Sequence, residues 1–423
     1  MWIRNSGKSK DMNQKYLIIV LLAMTACGTP KKSPASSENA PEPAVQSSAQ
    51  PQKVEAAQPQ ETDVMRKPLV DNQKTDFSLK LLASGLRQGD PKENLVLSPY
   101  SAGVALSLLK DGADGQTRQA LTETLCYSTY AGTEIYSDSL NIVSTANSIW
   151  VRKGITFKDN YLDYVRGGSY GAQVETRDFA NRATVGEINA WCAEQTHGRI
   201  PSIVNELTPE LAAILLNALY FKAPWAEEFD KDLTRKETFH GSKGDKQVDF
   251  MHRTSRNYAY ADPDGWQIAS LPYKNHRYAM LVALPPVGAD LTGSLDVEVF
   301  NYLLDALHGC RLALSLPKFK IETSLVMNNL LSAMGAAPVF EDSADFTRMS
   351  ATPMAVSQVL QKCFIEVGEE GTEAAAVTGA FMRVTSVARP EPPVVMNVDR
   401  PFLFAIYDVQ TRLILFEGRI ANI

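Results

Sequence analysis

The sequence predicts an α+β body held behind a short leader and a tether, and three observations carry that reading. The chain opens with a charged and then apolar stretch. A long run of Ala, Pro, Ser, Gln and Glu follows, with no aromatic residue between Tyr16 and Phe77. The remainder mixes helical spacing, as at Phe77, Leu81 and Leu82 behind a Thr75 cap, with strand-like runs at Tyr278–Leu284 and residues 312–316. The 423 residues are 44% hydrophobic and 21% charged, enough apolar material for a sizeable core, which excludes collagen-like, coiled-coil and wholly disordered chains. A net charge of -6, from 42 basic and 48 acidic residues, makes nucleic acid a poor partner. Basic clusters are also missing, with Arg118 the one basic residue between Gln116 and Leu140, so no polyanion cofactor site is expected there.

The leader carries Arg4, Lys8, Lys10 and Lys15 ahead of an apolar run at residues 16–24, too short to span a bilayer. It stops at Met24-Thr25-Ala26-Cys27, which resembles the lipobox of bacterial lipoproteins. That resemblance implies removal of residues 1–26 as a signal peptide and lipidation of Cys27. Gly28 rather than Asp follows, which favours the outer membrane, with the periplasmic or extracellular face left open.

Residues 27–75 cannot bury enough apolar surface to offset the entropy of ordering them, so they read as a flexible tether. Beyond Cys27 the cysteines are Cys126, Cys192, Cys310 and Cys363. Their spacing dictates no pairing, and disulfides and free buried thiols stay equally open. No C-x-x-C or H-E-x-x-H spacing occurs, so neither a metal nor a cofactor is expected.

Residues 76–423 are longer than one core usually holds, yet no internal linker or repeat divides them. Gly167-Gly168-Ser169-Tyr170-Gly171 matches a nucleophile elbow in letters, but the polar, helix-like stretch before it is the wrong context, so a surface loop is expected. Gly112-Ala113-Asp114-Gly115 lacks the Lys-Ser/Thr of a phosphate loop and reads as a tight turn. His197, His240, His252, His276 and His308 stand apart in sequence, without a partner motif for a catalytic base.

The informative stretch runs from Glu366 to Arg389. No proline interrupts it after Gly371, so each backbone N–H can join a ladder. Every second residue from Thr372, namely Thr372, Ala374, Ala376, Thr378, Ala380 and Met382, is uncharged, while Glu373 and Arg383 fall on the other face. Pro390, Pro392 and Pro393 follow, as in an exposed loop.

Glu369-Glu370-Gly371-Thr372-Glu373-Ala374-Ala375-Ala376 resembles the reactive-centre-loop hinge of the serpins, the serine protease inhibitor family. The resemblance continues in order through Asn94-Leu-Val-Leu-Ser98-Pro99-Tyr-Ser101, Gly112-Ala-Asp-Gly115-Gln-Thr117, Ala146-Asn147-Ser-Ile-Trp150, Asn189-Ala-Trp191 and Thr196-His-Gly198-Arg-Ile200. It goes on in Leu216-Asn217-Ala-Leu-Tyr-Phe221-Lys222, Trp225, Leu271-Pro272-Tyr273, Leu316-Pro317-Lys318-Phe319, Asp345-Phe346, Asp399-Arg400-Pro401-Phe402 and Phe416-Glu-Gly418-Arg419. It implies a single serpin domain at 76–423 with three sheets, eight or nine helices and an exposed loop at about 369–393.

The same resemblance implies a monomeric inhibitor and no enzyme. A target serine protease, or a cysteine protease, would attack the loop, become covalently attached, and be carried away as the loop inserts into the large sheet. The family's count from Gly371 ends at Thr385, with Ser386 after the cut and small β-branched neighbours that suit an elastase-like pocket. This loop is longer than in short-loop members, so Arg383 for trypsin-like and Met382 for chymotrypsin-like enzymes stay as alternatives, while Pro390 disfavours a cut after Arg389. Ser98, Ser101 and Asn217 match the polar cluster where the sheet parts. Gln361 replaces its usual histidine, which keeps a donor and an acceptor but removes the pH sensitivity. Trp225 matches the residue where the loop first enters the sheet. The competing readings are a binding protein on the same scaffold, whose loop is only a substrate, and a hydrolase using Ser169.

Overall fold

A computed structural model describes residues 15–25 as backbone, together with 71–208, 210–289, 291, 296–372 and 392–423. The first described element is strand β1 (Lys15–Thr25), whose proline-free Leu-Ile-Ile-Val run suits an extended ladder. Helix α1 (Asn72–Gln88) follows, and its cap is not the expected Thr75. Asp71 accepts from the Lys74 N–H at 3.2 Å, which starts the helix at Asn72 and puts Thr75 inside its first turn.

Strand β2 (Leu95–Leu97) leads into α2 (Pro99–Gly112), where Ser98 accepts from the Ser101 N–H at 3.2 Å and Pro99 takes a position that needs no N–H donor. Gly112–Gly115 is the expected tight turn, and Asp114 caps α3 (Gly115–Thr124). Then come β3 (Ile142–Arg152), α4 (Asp159–Arg166), β4 (Gln173–Arg177), α5 (Arg182–Gln195) and β5 (Leu211–Pro224). The Ser169 segment therefore lies between a helix and a strand, the reverse of a nucleophile elbow.

The chain continues through β6 (Arg235–Gly241), β7 (Gly244–Ser255), β8 (Ala259–Ala261), β9 (Gln267–Pro272) and β10 (Tyr278–Leu284). After α6 (Val297–Ala306) come β11 (His308–Gly309), β12 (Leu312–Pro317), β13 (Phe319–Val326) and the short α7 (Asn328–Leu331). It closes with β14 (Met354–Gly368), β15 (Gly371–Thr372), β16 (Val394–Asn397), β17 (Phe402–Asp408) and β18 (Ile414–Ile420).

These strands form the three sheets that the resemblance implies. The described residues hold seven α-helices, against the eight or nine expected, because several short turns adopt 3-10 or π geometry instead. The large sheet runs β13-β14-β5-β3-β4, with β1 and β15 both lying between β14 and β5. A second sheet runs β11-β8-β9-β10-β17-β18-β2 and a third β16-β12-β7-β6.

Phe221 on β5 ties the first two sheets together. Its ring meets Tyr273 at 5.2 Å and Tyr278 at 5.4 Å in edge-on contacts, and all three side chains are buried. Such a buried aromatic side chain stabilises by about 1.5–3 kcal/mol. Cys126, Cys192, Cys310 and Cys363 are free thiols, and burial raises the Cys126 thiol to about 11. Among the described residues no helix is long and apolar enough to cross a membrane.

Candidate functional site

The site is the slot between β5 and β14. These two strands run in the same direction, as their shared parallel pairing with β1 shows. The hinge read from the sequence already begins inside the sheet. In β15, Thr372 pairs with Val367 on one side and Ala223 on the other, antiparallel to both neighbours. Thr372 is fully buried, and its hydroxyl lies 2.6 Å from the Tyr273 hydroxyl. Burial pushes the Tyr273 phenol above its ordinary range, so it stays neutral.

Only glycine fits before Thr372. Gly371 has φ +150°, and a Cβ there would come within 2.4 Å of the Ala223 carbonyl oxygen. Trp225 covers this end of the slot: its ring stacks on Tyr273 at 4.6 Å and 8°, its Nε1 donates to the Gly368 carbonyl at 2.9 Å, and its N–H donates to the Glu370 carbonyl at 3.0 Å.

The two hinge glutamates are tied down by cations and hydroxyls. Lys318 Nζ sits 2.9 Å from one Glu369 oxygen, Thr234 donates to the other at 3.0 Å, and Lys231 pairs with Glu370. Burial by itself would raise the Glu369 carboxyl, but the Lys318 and Thr234 hydrogen bonds outweigh it and leave the group below its usual range. Lys231, Lys318, Lys320, Glu366, Glu369 and Glu370 line a cleft at this end, as the ion pairs Lys231–Glu370, Lys318–Glu369 and Lys320–Glu366.

Halfway along the slot lies the polar cluster. Gln361 brackets the backbone of Ser98, donating to its carbonyl at 2.9 Å and accepting from its N–H at 3.1 Å. Ser98, Ser101, Asn217 and Gln361 are all buried. Ser101 and Gln361 both bond to Ser98, whereas the Asn217 side chain turns away from Gln361. Asn217 donates instead to Asn147 Oδ1 at 2.7 Å, and Asn147 donates to the Tyr170 carbonyl at 2.8 Å. The reason is geometric: Leu21 of β1 pairs with Gln361 on one side and Asn217 on the other, which sets the two a full two-strand spacing apart, about 9.5 Å.

Of the residues singled out in the sequence, the structure puts Glu369, Glu370, Gly371, Thr372 and Trp225 at one end of the slot and Ser98, Ser101, Gln361 and Asn217 halfway along it. Glu373, Ala374, Ala375, Ala376, Met382, Arg383, Thr385, Ser386 and Cys27 lie outside the described residues. Sequence reasoning missed the partners. Tyr273, Lys318 and Asn147 stand within the quoted motifs, so their positions were visible while their roles were not. Lys231 and Thr234 had no signal, because their pairings span well over a hundred residues.

The sequence profile of the serpins (serine protease inhibitors) matches residues 72–423. The chain is 34% identical over 345 residues to an uncharacterized serpin-like protein of Thermococcus kodakarensis, covering 78% of this chain and 80% of that one. It is also 34% identical over 366 residues to Iripin-2 of Ixodes ricinus, covering 81% and 91%. Among solved structures, the thermophilic serpin tengpin in its native state superposes with a TM-score of 0.76 at 29% identity, covering 83% of this chain and 94% of tengpin.

Proposed function

Because the chain belongs to the serpins, a family of serine protease inhibitors, we propose that it traps a serine endopeptidase of elastase-like specificity by a covalent suicide mechanism. The protease serine attacks the Thr385 carbonyl, and the amine of Ser386 leaves with the C-terminal part of the chain. The loop then inserts between β5 and β14 before water can hydrolyse the ester. The chain acts as an inhibitor, with no catalytic group of its own.

One observation carries this reading: the hinge is already seated. Continuing the β15 register antiparallel along β5 brings Ala374 opposite Phe221 and Val384 opposite Leu211, the first residue of that strand. Thr385 is then the first residue beyond the slot, so an ester at Thr385 is drawn the full length of the sheet. Residues on the face of Thr372, which is buried, are Ala374, Ala376, Thr378, Ala380 and Met382. None of them carries a charge into the interior, where an unpaired charge would oppose insertion.

In this reading Cys27 carries a lipid that holds the monomeric inhibitor on the outer membrane, with residues 27–75 as its tether. The test mixes the chain from Cys27 onward with elastases, trypsin, chymotrypsin, subtilisin and papain. A covalent band that survives SDS, with a released peptide beginning at Ser386, is expected with an elastase. A peptide beginning after Arg383 or Met382 would reassign the target class. Cleavage by every protease with no covalent band would make the loop a mere substrate on a binding scaffold.

A further inference from the structure

The slot that the loop must fill has another occupant. β1 lies between β5 and β14 over most of their length, parallel to both, from Lys15 opposite Met354 to Met24 opposite Phe364 and Thr25 opposite Phe221. The loop approaches from the other end and in the opposite sense, with Thr372 opposite Ala223. Carried one pair further on the same face, Ala374 would need Phe221, the position that Thr25 holds. Leader and loop are therefore mutually exclusive beyond the hinge.

Two facing strand edges with unpaired N–H and C=O groups demand a partner, and an extended segment satisfies both at once. The stretch at residues 16–24 meets the requirement for a strand buried in a parallel sheet: it contains neither charge nor proline. Without it, β5 and β14 must pair with each other or accept the loop.

We propose that the slot between β5 and β14 is a binding site for the chain's own leader, and that the leader keeps the unprocessed protein from inserting its loop until residues 1–26 are removed. The recognised chemistry is an extended apolar peptide running parallel to β5. The consequence for inhibition rests on the reading above, whereas occupancy of the slot does not.

The test compares the full chain carrying Cys27→Ser, which cannot be processed at the lipobox, with the chain beginning at residue 27. Amide hydrogen exchange at residues 211–221 and 354–364 reports occupancy. It is expected to be at least about tenfold slower in the chain that keeps its leader. The rate of covalent complex formation with the protease found above is expected to be lower in that chain by at least about tenfold as well.

Ile19→Pro in the leader removes the N–H of a residue paired with Leu215 and Val359, while the folded body is untouched. It is expected to restore both readouts to those of the shorter chain. Equal exchange in the two chains, or no response to Ile19→Pro, overturns the proposal. Slower exchange in the leader-bearing chain, with no complex from either chain, keeps the leader site and overturns the inhibitory reading instead.

Discussion

The hinge end of the slot and its middle are bordered by different chemistry. At the hinge end a stacked pair of aromatic rings, two glutamates and two lysines meet a loop segment that is already inserted. In the middle, Gln361 holds Ser98 by two neutral hydrogen bonds, and Asn217 holds Asn147 by a third. The ion pairs are half exposed and depend on salt and acid, while the amide contacts are buried and independent of both. The hinge end of the slot is thus bordered by contacts that answer to salt and acid, and its middle by contacts that do not.

The largest expected effect removes the cover of the hinge end. Trp225→Ala leaves a cavity against Tyr273 and removes the indole donor from the Gly368 carbonyl, and should lower stability by about 3–5 kcal/mol in a urea titration. A loss below about 1 kcal/mol would mean that the ion pairs hold that end by themselves.

Next is Gln361→Leu, which strands the buried N–H of Ser98, whose carbonyl keeps the Ala102 N–H at 3.1 Å, and should cost about 1–3 kcal/mol. Gln361→His is its sharper companion. It should make the opening of the slot depend on pH near 6.5, whereas the natural chain stays flat there, as hydrogen exchange on β14 would record.

Acid should separate the two regions further. Glu369 has a lowered folded pKa, so its contribution is full above the ordinary carboxyl value of about 4.3 and is lost as pH falls through the folded value. With partly exposed partners this amounts to about 1 kcal/mol or less. Glu369→Gln should remove that acid-sensitive part and leave the Gln361 contacts unchanged.

The titration is best run in a Glu417→Met background. Glu417 is buried with no hydrogen-bond partner among the described residues, and burial raises its carboxyl well above the ordinary value. Its sign is opposite: stability falls as pH rises from the ordinary value toward the folded one. Met should therefore stabilise at both pH values, since even the protonated carboxyl is unpaired there, and by more at neutral pH than near pH 4, where the titration part vanishes.

The smallest effect belongs to Lys231→Met. It breaks an exposed pair to Glu370 and should change stability by about 0–1 kcal/mol, vanishing in high salt. A larger loss that survives in salt would show that the hinge end is not the salt-sensitive one.

The hinge and its glycine were legible because their residue types answer to local demands: Gly371 to a positive φ, and Thr372 to a buried face. The three sheets were legible only through ordered motifs. β5 itself, Leu-Ala-Ala-Ile-Leu-Leu-Asn-Ala-Leu-Tyr over residues 211–220, is rich in helix formers and becomes a strand because it is buried on both faces, a tertiary fact that no local pattern carries. The start of α1 was misplaced for the opposite reason: Asp71 and Thr75 are both good caps, and the Asp71 contact to Lys74 decides between them. The apolar run at residues 16–24 has the composition of an export leader and also of a buried strand, and its place between β14 and β5 follows from the unpaired edges of those strands.

The most direct measurement cuts the loop of the chain beginning at residue 27 with a protease that the chain does not trap, and compares melting temperatures before and after. A slot that accepts the loop as a new strand gives a clear rise, with slowed amide exchange along β5 and β14. An unchanged or lowered melting temperature would contradict the account, because the cut loop would then have no place in the sheet.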